Sequence, residues 1–249
     1  MENGSNPPVI PRPAATVILV RPREGGGVLV YMTRRSSSAR FMPGAYVFPG
    51  GAVDAEDRSA AMRARLRGNV EGIGDEFAVA ALRELFEEAG VLIACDGEGR
   101  PVSLTPERLT ALREEYSSST PFAVLVEREG LYLDARELAY YSNWITPIAE
   151  PLRFDTHFFI ATAPAGQIAS ADAAEVHDGI WIEPFVALAR AGTGEMSIPF
   201  PTRKHLERLT QFDDVATLFA HARGRRVAAI TPVIGHDGER ELITGAEVW

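Results

Sequence analysis

Residues 15–20, Ala-Thr-Val-Ile-Leu-Val, form a near-continuous apolar run of the length of one buried strand. Gly25-Gly26-Gly27 interrupts the pattern, and Val28-Leu29-Val30-Tyr31-Met32 resumes it, which predicts a hairpin. Ahead of it, residues 1–13 with Pro7, Pro8, Pro11 and Pro13 read as a flexible arm. Residues 60–67, rich in Arg and Ala, predict a surface helix. Further on, Phe77, Val79, Ala80, Leu82 and Leu85 recur at helical spacing, with Asp75 as N-cap and Gly90 as the stop. Residues 91–94 then read as a strand, and Asp96-Gly97-Glu98-Gly99 as a turn. Helices are predicted at 105–116 and 121–129, strands at 138–145, 153–162 and 179–182, helices at 199–212 and 213–222, and a closing strand at 226–234. Strands on both sides of a central helix, with further helices at either end, predict an α/β fold: an α/β/α sandwich around a mixed sheet, one domain over residues 14–249.

One turn of the helix before Gly90 carries unusual charge. Glu84, Glu87 and Glu88 sit at i, i+3 and i+4 and project from one face. Such like-charge neighbours cost about a few tenths of a kcal/mol per pair. A solvated face before a glycine cap explains most such runs. A divalent cation reverses the sign, and Mg²⁺ (with Mn²⁺ as a substitute) is a hard ion that prefers carboxylate oxygen and keeps exchangeable waters. Arg83 reaches Glu87 at i+4 and can hold its rotamer. Upstream, Gly50-Gly51 makes a turn that lets backbone approach a ligand.

Phe48-Pro49-Gly50-Gly51 together with Arg83-Glu84-Leu85-Phe86-Glu87-Glu88-Ala89-Gly90-Val91 resembles the box of the Nudix hydrolases, a glycine, a glutamate and then Arg-Glu-apolar-x-Glu-Glu-x-Gly-apolar. The second half fits at every position. The first half is interrupted by an insertion, about 55–73, and an aspartate replaces the leading glutamate. Asp57 and Asp75 are the candidates, and Asp75 is preferred because it keeps the family's distance from Arg83. Thr33, Arg35, Ser36, Arg40, Gly44 and Phe48 to Gly51 approximate the motif that precedes the box in Nudix coenzyme A diphosphatases. Across residues 14–212 the chain is similar to the peroxisomal-type subgroup, including the second insertion, 96–137.

The resemblance implies a Nudix-type sandwich with two helical insertions and Mg²⁺-dependent hydrolysis of a diphosphate in a nucleoside diphosphate linked to another moiety. Coenzyme A or acyl-coenzyme A is the first substrate it suggests. ADP-ribose or NADH is the alternative within the class, and a non-catalytic nucleotide sensor the alternative outside it. Glu84, Glu87 and Glu88 would hold the metal, Arg83 would act with them in catalysis, and Glu84 or Glu175 would take the proton from water. Arg35, Arg40, Gly50 and Gly51 would meet the substrate.

Composition adds exclusions. A formal charge of −9 argues against a broad basic surface for nucleic acid or anionic membrane. A single cysteine, Cys95, removes internal disulfides and multi-cysteine zinc sites and suits a reducing compartment. With no apolar run long enough to span a bilayer and no signal-peptide pattern, the expectation is a cytoplasmic protein acting on a small nucleotide, with a homodimer left open. Arg153, Asp155 and His157 share one strand face, and the Arg-Asp pair there reads as structural. His205, His221 and His236 read as surface residues.

Overall fold

In a computed structural model of the chain, residues 9–39, 42–117, 120–171, 176–234 and 240–243 are described. β1 (Arg12–Pro22) buries every side chain from Ala14 to Val20, since both its faces are covered. Three glycines at positive φ (85°, 101° and 85°) turn the chain into β2 (Val28–Arg35), in a backbone region that a Cβ would strain. The β1–β2 ladder stops at Val20, and the following segment fills the gap below. β3 (Tyr46–Val47) pairs with β2, and β4 (Gly50–Ala52) pairs with β1. This wedge sets the Gly50-Gly51 turn against the N-terminal half of β1.

The first insertion contributes α1 (Ala60–Ala64) and β5 (Leu66–Arg67) before the box helix α2 (Asp75–Ala89). The second region contributes β6 (Ala94–Cys95), β7 (Pro101–Val102), α3 (Pro106–Ser117), α4 (Phe122–Arg128) and β8 (Tyr132–Asp134). β9 (Ala139–Ile145), β10 (Phe154–Thr162) and β11 (Val176–Ile182) follow. The chain ends in α5 (Pro184–Gly192), α6 (Phe200–Leu209), α7 (Val215–Arg223), β12 (Ala229–Ile234) and β13 (Arg240–Ile243).

The main sheet runs β11-β2-β1-β10-β9-β12-β13. It is mixed, with β1 parallel to β10 and β12 parallel to β9. Alternation along β1 sends Ala15, Val17 and Leu19 toward Leu82, Leu85 and Phe86 of α2, while Ile18 and Val20 meet Leu206 of α6 and Leu218 of α7. The three layers are those expected of an α/β/α sandwich.

Several expectations need correction. The two insertions carry helices as expected, α1 in the first and α3 and α4 in the second, but they are also joined to each other by strands. β5 from the first pairs with β8 from the second (Leu66↔Leu133), and with β6 and β7 they build a second, four-stranded sheet. Short strands of two or three residues lack a readable period, which hides them in the sequence. The strand at 91–94 shrinks to Ala94–Cys95, and α5 was not anticipated. The arm ends sooner than residue 13: β1 begins at Arg12, and the buried Arg153 donates to the Val9 carbonyl at 2.6 Å. His205 is fully buried rather than on the surface. Its Nδ1 donates to the Pro201 carbonyl (2.6 Å) and its Nε2 accepts from Ser142 (2.6 Å), so it fastens α6 to β9 as a neutral ring. Burial pushes its pKa down to about 3. His221 is half-buried, and His236 lies outside the described residues.

Candidate active site

Helix α2 presents the glutamates because of how it starts and stops. Gly74 is the N-cap and Asp75 the first helical residue; Gly90 adopts a left-handed φ of 64°, and its N–H returns to the Phe86 carbonyl at 2.9 Å. The apolar face of α2 is held down by β1, so Glu84, Glu87 and Glu88 are directed along its flank to the β4 turn.

There the fit is close. The Gly50 N–H donates to Glu88 Oε2 at 3.0 Å. A Cβ on Gly51 would stand 2.5 Å from Glu84 Oε1, so only glycine lets this carboxylate lie against the turn. A Cβ on Gly50 would stand 2.5 Å from the Ala15 carbonyl. The two halves of the motif, separated by the insertion, are therefore in contact.

Arg83 is the hub beneath them. Its Nε and Nη2 donate to the two oxygens of Asp57 at 2.8 and 3.0 Å, its Nη2 also to the Ala52 carbonyl at 3.0 Å, and its Nη1 to Glu87 at 3.1 Å. Nη1 also stands 2.9 Å from Glu84 Oε1. Asp57 is fully buried and in turn accepts from the Asp54 N–H at 2.8 Å. The aspartate that partners Arg83 is thus Asp57, on the Gly-Gly side of the insertion. Asp75, preferred from the sequence, is exposed in the first turn of α2. Sequence distance from Arg83 pointed to Asp75, whereas distance from Gly51 would have pointed to Asp57.

Charge decides what the cluster can do. Asp57, Glu84 and Glu87 share one guanidinium, and Glu88 has a backbone N–H. Burial pushes the Glu84 pKa up to about 7; Arg83 opposes the shift and Glu87 adds to it. An acid raised this far lacks enough positive charge around it. Among the described residues no three acids, histidines or cysteines stand in ready metal geometry, each glutamate being turned to an internal donor. The donor set still suits a hard divalent cation: three carboxylate side chains on one helix, two of them nearly buried, with a deficit of positive charge.

A cleft of about 540 Å³ opens over this cluster. The even face of the sheet floors it with Arg12, Thr16, Trp144, Phe154 and Phe158, and Thr202 at the start of α6 walls it. Arg35, Gly50 and Gly51 are among the residues that line it. Arg40 and Glu175 lie outside the described residues. Strand alternation groups Phe154, Thr156 and Phe158 on one face, and that face lines the cleft; Arg12 and Trp144 were not assigned to the site from the sequence. On the opposite face, Asp155 accepts from Asn143 at 2.5 Å, and His157 Nδ1 meets the Tyr140 hydroxyl at 2.7 Å, so that pair faces away from the cleft.

A mixed-sheet sandwich with an Arg-Glu-x-x-Glu-Glu helix against a Gly-Gly turn is the constellation of the Nudix hydrolases, enzymes that use divalent metals. The model of the NUDT19 Nudix domain matches residues 69–209, more than half of the chain, and the chain belongs to that family. A Caenorhabditis elegans protein named as a nudix hydrolase (number 7) is 33% identical over 74% of this chain, which spans 57% of that protein's length. The acyl-coenzyme A diphosphatase NUDT19 of Homo sapiens is 28% identical, over 96% of this chain and 76% of its own. The crystal structure of a NUDIX hydrolase from Alicyclobacillus acidocaldarius superposes with a TM-score of 0.76 at 29% identity, over 85% of this chain and 96% of that one. Among the described residues no helix is long and apolar enough to cross a membrane.

Proposed function

We propose that this chain hydrolyses the diphosphate of coenzyme A or an acyl-coenzyme A, giving 3′,5′-ADP and the (acyl-)phosphopantetheine, with Mg²⁺ held by Glu84, Glu87 and Glu88. The observation that supports it best is the buried, charge-deficient carboxylate cluster at one end of a cleft whose remaining floor is aromatic. The names carried by the NUDT19 relatives supply the substrate class. When bound, the cation would neutralise diphosphate oxygens and lower the pKa of water.

The chain's own groups have distinct tasks in this reading. Water attacks phosphorus, one bridging P–O bond breaks, and Glu84 takes the proton. Arg83 has its donors engaged by Asp57, Ala52, Glu84 and Glu87, so it positions the glutamates rather than meeting the substrate. Arg35, lining the cleft, shares charge on the diphosphate. The aromatic floor takes the base or the pantetheine arm.

The test is turnover of a panel (coenzyme A, acyl-coenzyme A, ADP-ribose, NADH) with and without Mg²⁺, with products identified by mass. Coenzyme A compounds should turn over best. A faster reaction on ADP-ribose or NADH would reassign the substrate, and nucleotide binding without any turnover would favour a sensor.

A further inference from the structure

The Arg12 side chain lines the cleft yet makes no hydrogen bond or ion pair among the described residues. Its backbone, by contrast, is fixed. The Arg12 N–H donates to the Arg153 carbonyl at 2.9 Å, and Arg153, itself buried, reaches past it to the Val9 carbonyl at 2.6 Å. β-pairing sets Arg12 opposite Phe154, so guanidinium and ring share one edge of the floor. A pinned strand that presents an unneutralised guanidinium into a ligand cleft is the arrangement expected of an anion reader.

Its place along the strand bears on which anion it meets. Thr16, beside the Gly50 turn and hence beside Glu88, lies four residues along the same strand, about 13 Å away at the rise of a β-strand. The Arg12 backbone therefore stands apart from the carboxylates that would serve the diphosphate, whereas Arg35 enters from β2, across the β3–β4 wedge. We propose that Arg12 reads a second phosphate, carried on the ribose away from the diphosphate, and so sets a preference for 3′-phosphorylated nucleotides. This rests on the nucleotide-diphosphatase reading above.

Two measurements test it. Calorimetry with 3′,5′-ADP and 5′-AMP should show the first binding wild type about ten- to a hundredfold more tightly. Arg12→Gln should abolish most of that difference, Arg12→Lys should restore part of it, and Arg35→Gln should leave the ratio standing. In kinetics, Arg12→Gln should raise KM for coenzyme A by a similar factor, with kcat little altered and with a much smaller change for dephospho-coenzyme A. A preference that survives Arg12→Gln, or equal binding of the two nucleotides by wild type, overturns the assignment. If wild type turns over no diphosphate but the binding difference exists and depends on Arg12, the assignment stands and the catalytic reading falls.

Discussion

Arg83 and Asp57 are 26 residues apart in the chain and form a buried two-point ion pair, Nε to Oδ1 at 2.8 Å and Nη2 to Oδ2 at 3.0 Å. This pair closes the motif across the first insertion, joining the segment that leaves the Gly-Gly turn to the helix that carries the glutamates. Removing one member of such a pair strands a charge in the interior, which typically costs about 3–5 kcal/mol. Asp57→Ala should lose stability on that scale in urea unfolding, while Asp75→Ala, at an exposed position, should stay within about 0.5 kcal/mol. A larger loss at Asp75 than at Asp57 would contradict the pairing.

Glu88→Gln keeps the shape and an acceptor for the Gly50 N–H but removes a charge. The variant should fold with an unchanged melting temperature in the absence of metal and lose turnover by about a hundredfold or more, the scale of losing a positioned electrostatic stabiliser. Near-normal turnover at limiting Mg²⁺ would remove Glu88 from the metal site.

Gly51 is defined by what a side chain there would meet. In Gly51→Ala the new Cβ displaces the Glu84 carboxylate, a side-chain group that can move, so the fold should persist. The expected outcome is a loss of turnover by about tenfold or more, with near-normal circular dichroism, since a misplacement of order 1 Å is costly for a catalytic group. Unchanged kcat would show that Glu84 needs no contact with the turn.

Glu84 also sets a pH dependence. Its pKa is about 7 in the fold against 4.5 for an ordinary glutamate, through burial first. A raised acid favours the folded state while protonated, so this contribution is full below pH 4.5 and is lost as pH rises through about 7. A divalent cation binds the ionised form. The rise in melting temperature on adding Mg²⁺ should therefore be larger at pH about 8 than at pH about 5, and Glu84→Gln should flatten the difference. Equal increments at both pH values in wild type would refute this.

The sequence by itself determined the parts governed by local chemistry. Apolar period and glycine punctuation located β1, β2, α2 and the late helices, and three glutamates at i, i+3 and i+4 marked one face of one helix. Arg35, Gly50 and Gly51 were placed beside them by motif resemblance, and the cleft contains all three. Tertiary structure decided whatever depends on which distant segments meet. It chose Asp57 over Asp75 as the partner of Arg83, because burial and a two-point bond outweigh sequence spacing. It joined the insertions into a sheet whose strands are too short to show a period, and buried His205, whose two ring nitrogens found acceptor and donor on different elements. It turned Arg12, at the end of a proline-rich arm, into a residue of the cleft, since a strand's role there depends on the parallel pairing with β10 that only the folded chain supplies.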